Sequence, residues 1–426
     1  MQIEQAVILA GGRGSRLRPL TDALPKPMAP INDVPFLAYL LEQLKSQGIK
    51  KVILLTGYKG HLIKEYFANG EQFNLDIQYS QGPIEWLTGK RLWEAKELME
   101  DQFLLVYSDN FAQFNIDKQL NLLNASETDL CVLLSKKEKG NIILNDDGQI
   151  LAYEKGVNKD QFQHVELGYM IIKKEPFFKY FTGENEDLSP IQSKIAANGR
   201  MSGFTVNDGY HSISNLTKLK TMTEYLKFKK IILLDRDGVI NVKAAEGEYI
   251  ERWEDFVWKQ ENIDGLIALS KKGYKFIVIT NQAGIARKKV KACDLEQIHQ
   301  SMINYMKTLG INVLSVYVCK HHWDDHCECR KPKAGLFAQV AKDFMLRMDQ
   351  TLYIGDDPKD CKAASAANTR SIFIGESSRL DTLLTHEKPL CVANSILDAL
   401  PVIEQYFLGF VKNFRKLNLS KEVCQL

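Results

Sequence analysis

Two stretches of the chain carry residue types suited to handling phosphate. The first is Gly11-Gly12-Arg13-Gly14-Ser15-Arg16-Leu17, with Pro25-Lys26-Pro27 after it. Its glycines, with Ser15, let backbone N–H groups come close to phosphate oxygens. Arg16 and Lys26 would neutralise a nucleoside triphosphate and stabilise departing pyrophosphate. The second is Asp235-Arg236-Asp237-Gly238-Val239-Ile240-Asn241. There Asp235 would act as a nucleophile and form an aspartyl-phosphate. Asp237 would protonate the leaving alkoxide and later take a proton from the attacking water.

Further pieces belong with the second stretch. Thr280 and Asn281 offer hydrogen bonds to phosphate oxygens, and Lys331 offers a cation to hold phosphate and nucleophile together. Asp356 and Asp357, after a glycine, offer carboxylates for Mg²⁺ beside Asp235 and Asp237. An Asp-x-Asp alone is common in solvated loops; four such pieces in this order are not. Just before Lys331 stand Cys319, His321, Cys327 and Cys329. Three thiolates and an imidazole complete a tetrahedral Zn²⁺ set and leave no place for water, so such a zinc would be structural. His322 and His326 offer the same donor chemistry as His321.

These residues sit at the ends of short apolar runs. Val7–Ala10 and Ile231–Leu234 read as strands that deliver their C-terminal ends to the two polar loops. Open parallel sheets place their ligands at such ends. Strand-like and helix-like segments alternate after each, with strands expected at Lys51–Thr56, Phe103–Tyr107, Phe276–Thr280 and Thr351–Ile354. Helices are expected at Pro35–Gln47, Leu92–Glu100, Cys293–Leu309 and Gly335–Phe344. A β-rich stretch from Asp129 to about Lys173 includes a hairpin at Asn145–Gly148. The fold class expected is α/β, with two doubly wound, mostly parallel sheets. The expected domains are 1–227 and 228–400, with a helical tail at 401–426.

Bulk properties narrow the function. A chain of 426 residues exceeds one ordinary core. A net charge of +2 gives no reason to invoke nucleic acid or an anionic membrane. No apolar run approaches the roughly 20 residues that span a bilayer, and the chain begins directly with a core strand. A cytoplasmic protein with eight cysteines and no disulfide framework is expected. Homo-oligomerisation is left open.

The second stretch and its partners resemble the haloacid dehalogenase superfamily of phosphatases. Asp235–Asn241, Thr280–Arg287 and Cys327-x-Cys329-Arg330-Lys331-Pro332 are most similar to its D,D-heptose bisphosphate phosphatases. The resemblance covers about residues 229–400. It implies that Arg330 and the loop Gly284–Arg287 contact the sugar phosphate, and it selects Cys319 and His321 for the zinc set. Lys288 stands where that family usually has glycine, and Asp357 where close relatives often carry lysine.

The first stretch resembles the sugar-1-phosphate nucleotidyltransferases. With Met28–Leu37 it is most similar to the D-glycero-D-manno-heptose 1-phosphate guanylyltransferases, over about residues 3–225. The resemblance implies GTP as donor. It assigns Asp109 to Mg²⁺, Glu154 and Lys155 to the sugar and its phosphate, and Gly168 to a close approach of backbone to sugar. Thr88 and Gly89 match the base-binding string, which departs from the family at Leu87 and Lys90. Ser212 stands where the family has a second metal aspartate, and Asp208 is a candidate substitute. Together the resemblances imply hydrolysis of the 7-phosphate of heptose 1,7-bisphosphate, then guanylyl transfer to heptose 1-phosphate. The alternatives are a phosphatase joined to a binding or assembly module, or a phosphatase of another small ester such as histidinol phosphate.

Overall fold

The computed structural model describes residues 2–156, 159–206 and 210–418, with side chains as far as residue 410. Two compact units meet in sequence between Leu226 and Lys227. Among the described residues, no helix is long and apolar enough to cross a membrane.

In the first unit, Gln5–Ala10 is buried at every position. A continuous apolar run of this kind belongs in the middle of a parallel sheet covered on both faces. It lies between Lys51–Thr56 and Gln102–Tyr107, parallel to both, with Asp76–Gln81 beyond Lys51–Thr56. The strand His164–Lys173 then adds antiparallel to Gln102–Tyr107 and carries Leu130–Lys136 on its far side. The expected hairpin forms, Ile142–Leu144 pairing antiparallel with Ile150–Tyr153, and Gly148 takes the turn at φ 79°.

The helix expected at Leu92–Glu100 instead runs Thr88–Glu94, with a 3-10 turn at Lys96–Leu98. The reason is tertiary: the N–H groups of Gly89 and Lys90 donate to the carbonyl of Glu186, nearly a hundred residues on. That contact satisfies donors a helix start otherwise leaves open. No local pattern announces it.

In the second unit six parallel strands run in the order Val313–Cys319, Lys275–Asn281, Ile231–Leu234, Leu352–Gly355, Arg370–Ile374, Val392–Ala393. The chain leaves the central strand in opposite directions, so the crevice opens at the C-terminal end of Ile231–Leu234. The helix Ala292–Thr308 and the helix Ile396–Asn418 cover it, burying Ile298, Met302, Ile403 and Phe407 in one core. The separate tail expected from residue 401 is therefore corrected. That position falls inside a helix whose apolar face belongs to the second unit's core.

Candidate functional sites

In the second unit, Asp235 follows its strand directly and is buried with Lys331 Nζ 2.9 Å from its Oδ1. Lys331 Nζ also lies 2.8 Å from Asp360 Oδ1 and donates to Tyr353 Oη at 2.7 Å. Burial pushes the Asp235 carboxyl well up, Lys331 opposes this, and the nearby Asp360 and Asp356 push it further up. Asp356 is buried, and its Oδ1 has no hydrogen-bond partner among the described residues. Gly238 is forced by this crowding: it sits at φ 91°, and a Cβ there would stand 2.3 Å from Asp356 Cγ.

The donors within reach of one ion are Asp235, Asp356 and Asp360. The expected Asp237 carboxylate is not among them. Its oxygens accept from Arg236 Nη2 at 2.9 Å, Asn241 Nδ2 at 3.0 Å and Gln282 Nε2 at 2.7 Å. Burial alone would raise its pKa, but the Arg236 charge and these hydrogen bonds hold it below the usual value. Asp360 is also engaged, accepting backbone N–H bonds from Asp356 and Asp357. The unpartnered Asp356 oxygen and Asp235 fit a hard dication. Asp357 caps the helix Pro358–Ala366 in a capping box with Asp360, so its carboxylate serves the helix start.

Several neighbours of the expected residues have roles that the sequence did not assign. Arg236 is fully buried and shares its Nη1 with His299 Nε2 at 2.9 Å. Burial and the Arg236 charge bring the His299 pKa down to about 3, so the ring is neutral. Gln282 joins Thr280 Oγ1 to Asp237. Asn281 does not reach outward. Its amide exchanges two hydrogen bonds with the Lys331 backbone, at 3.1 and 3.2 Å, and so positions the lysine.

A cleft of about 400 Å³ opens over these groups, lined by Asp235, Asp237, Thr280, Asn281, Arg330 and Lys331, with Lys243 and Tyr249 on the rim. Arg330 Nη1 is buried without a partner, suited to an anion. Arg287 lies just outside, bonded to Tyr249 Oη and over the Trp323 ring.

Cys319, His321, Cys327 and Cys329 converge. The sulfurs lie 3.4 to 3.7 Å apart, and His321 Nδ1 is 3.1 Å from Cys329 Sγ. A zinc with Zn–S of about 2.3 Å demands edges of about 3.8 Å, so the set fits a tetrahedral ion with modest adjustment. His322 instead caps a short turn at Trp323–Asp325, and His326 is exposed.

In the first unit a cleft of about 620 Å³ is lined by Gly11, Gly12, Gly14, Ser15, Arg16 and Lys26 on one side. Thr88, Lys155, Glu166 and Asp187 line it elsewhere. Lys26 Nζ pairs with Asp109 Oδ2 at 2.5 Å. Lys155 reaches the cleft, whereas Glu154 is exposed and does not line it. Gly168 also stays out of the lining. It adopts φ 81° with Tyr107 against it, where a Cβ would come within 2.9 Å. Gly89 is likewise outside the lining, whereas Thr88 Oγ1 donates to Asp187 at 3.0 Å. Ser212 pairs with Asn110, and its hydroxyl meets that of Ser214 at 3.2 Å. Among the described residues, Asp109 joins no group of three metal donors. Asp208 lies outside the described residues. One participant was missed altogether. Arg91, buried beneath Gly11, donates to the carbonyls of Thr56 and Pro83 at 2.7 Å.

Residues 5–142 match the family described as nucleotidyl transferase, and residues 230–372 that described as polynucleotide kinase 3 phosphatase. A D-glycero-alpha-D-manno-heptose 1-phosphate guanylyltransferase of Campylobacter jejuni is 37% identical over 161 residues. That match spans 37% of this chain and 71% of the relative. A D-glycero-beta-D-manno-heptose-1,7-bisphosphate 7-phosphatase of Helicobacter pylori is 36% identical over 143 residues, 33% of this chain and 81% of the relative. A solved D,D-heptose 1,7-bisphosphate phosphatase from B. bronchiseptica overlays 42% of this chain and 99% of its own. It is 24% identical, with a TM-score of 0.38.

Both units are thus α/β enzymes of phosphate chemistry. The chain belongs to two families at once, the heptose 1-phosphate guanylyltransferases among the nucleotidyl transferases and the heptose 1,7-bisphosphate 7-phosphatases.

Proposed function

We propose that this chain carries out two consecutive steps of nucleotide-activated heptose synthesis in the cytoplasm. The observation that carries the reading is the pairing itself. The phosphatase relatives are named for a reaction that leaves a heptose 1-phosphate, and the transferase relative is named for consuming one.

In the first step Asp235 attacks the phosphorus of the 7-phosphate, and the bond from phosphorus to the sugar oxygen breaks. Asp237 gives the departing alkoxide its proton, then takes one from the water that cleaves the aspartyl-phosphate. Its five hydrogen bonds favour the ionised form, which suits the second half; the first half needs a proton gained as phosphate binds. Lys331, held by Asp360 and Tyr353, balances the charge on Asp235. Asp235 and Asp356 would hold Mg²⁺, which supplies charge neutralisation for the incoming phosphate. The zinc set would fix the loop bearing Arg330 and Lys331.

In the second step an oxygen of heptose 1-phosphate attacks the α-phosphate of GTP and pyrophosphate leaves. Arg16 and Lys26 stabilise that departure, and Lys155 holds the sugar phosphate. Asp109 pairs with Lys26 here and, among the described residues, joins no group of three metal donors.

The assay is heptose 1,7-bisphosphate with GTP, followed for phosphate and pyrophosphate. Release of both is expected. Phosphate without pyrophosphate would favour a second reading, in which Ser212 leaves the first unit a binding or assembly module. The relatives' names differ at the anomeric carbon, α for the transferase and β for the phosphatase. Successive steps on one sugar require a shared anomer, so each should be supplied separately.

A further inference from the structure

The wall of the first unit's cleft that carries Asn141, Tyr153, Glu166, Asp187 and Ser189 is built differently from the phosphate side. Glu166 Oε2 accepts from Tyr153 Oη at 2.8 Å and from Gln192 Nε2 at 3.0 Å. This pins the carboxyl group in one orientation. Its other oxygen, Oε1, is buried with no partner among the described residues, and so is Asn141 Oδ1. Buried acceptors without donors are costly, and the cost disappears when a ligand brings O–H groups to them. Sugar hydroxyls are such donors. An ionised phosphate is not: it brings acceptors and negative charge.

The cations around the cleft sharpen this. Arg16, Lys26, Arg91 and Lys155 are the cationic residues lining it. Lys26 is paired with Asp109, and Arg91 is tied to two backbone carbonyls. Arg16 stands on the glycine loop, where a nucleotide's phosphates belong. That leaves Lys155 for one sugar phosphate. A second phosphate would face Glu166 and Asp187, with Lys155, whose charge reaches Glu166, already engaged by the first.

We propose that Glu166, with Asn141, is a specificity-determining element of the transferase cleft. It accepts the hydroxyls of a sugar with one phosphate and excludes a sugar that still carries two. The transferase unit then acts only on the phosphatase unit's product, and the order of steps is set by the acceptor-lined wall at Glu166, Asn141 and Asp187. This rests on the reading given under Proposed function.

The experiment uses the full chain carrying Asp235→Asn throughout, so that bisphosphate survives the assay. Pyrophosphate release from GTP is measured with heptose 1-phosphate and with heptose 1,7-bisphosphate, in Glu166 and Glu166→Gln forms. With Glu166 present, kcat/KM should favour the monophosphate by on the order of 100-fold. In Glu166→Gln the KM for the monophosphate should rise and the preference should fall by about tenfold or more. In case that variant fails to fold, the Glu166 form supplies a second measurement. There the bisphosphate should compete with the monophosphate only weakly, and tight competition overturns the proposal. An unchanged preference in Glu166→Gln, or equal use of both sugars by the Glu166 form, overturns this proposal and leaves the two-step function standing. No pyrophosphate from either sugar overturns both.

Discussion

The two units share a plan and differ in how completely it is carried out. Each places a buried apolar strand, Gln5–Ala10 or Ile231–Leu234, in the middle of parallel neighbours and spends the residues after it on phosphate. In the second unit the required charges are assembled and balanced. Lys331 sits between Asp235 and Asp360, and Asp356 keeps one oxygen open. In the first unit the phosphate loop is in place, but Asp109 is paired with Lys26, and Ser212 stands where the resemblance calls for a second carboxylate. Intact phosphate loops therefore say little about turnover. What separates the units is whether a second strand end supplies the matching acid.

The sharpest way to break the comparison is Asp235→Asn. Phosphate release should fall by on the order of 10⁴-fold or more, since the nucleophile is lost. A variant that keeps a tenth of its rate would remove the aspartyl-phosphate from the mechanism. Next comes Cys329→Ser, which should release about one zinc per chain by metal analysis and lower phosphatase kcat/KM by about 10- to 100-fold. Metal content unchanged from the parent would refute the assignment. The converse experiment makes the first unit more like the second. Ser212→Asp should raise the Mg²⁺-dependent rate of pyrophosphate release by about tenfold; no gain would show that Asp109 is already sufficient.

A pH experiment probes the second unit alone. The folded His299 has a pKa near 3, against 6.5 for an ordinary histidine. The unfolded chain therefore binds a proton below pH 6.5 that the folded unit does not. Stability from this group is full above pH 6.5 and is lost as pH falls toward 3, by about 1.4 kcal/mol per pH unit at most. Denaturant titrations across that window should show a shallower slope in His299→Leu, and an identical slope would place the acid sensitivity elsewhere. The smallest effect is Lys288→Gly. Lys288 holds φ 56°, a left-handed conformation, so glycine should stabilise the second unit by about 1 kcal/mol in thermal unfolding. Destabilisation would mean that the lysine side chain contributes more than its backbone costs.

Residues whose chemistry rests on identity and position after a strand were legible before any fold was known. Asp235 and Lys331 meet at a strand end, Lys26 lines the first cleft, and Cys319, His321, Cys327 and Cys329 converge. Residues that act by approach were not. Asp360 looks like a helix residue, yet it caps that helix with one oxygen and meets Lys331 with the other. Arg91 looks like an ordinary helical arginine until Gly11 lies over it. His299 and Glu166 likewise carry no motif, because their partners come from distant segments.

By itself, then, the amino-acid sequence determined the strand-and-loop alternation, the two phosphate chemistries and the Cys319, His321, Cys327 and Cys329 set that converges as a possible metal group. These follow from local periodicity and from residue types that few other purposes require together. Tertiary structure alone decided that Asp237 is held by Arg236 and turned from the ion-binding group, that Asn281 serves Lys331, and that the last helix completes the second core. It also decided which buried oxygens remain without donors. The physical reason is the same throughout: hydrogen bonds and burial depend on distances between segments far apart in the chain, and local sequence does not encode those distances.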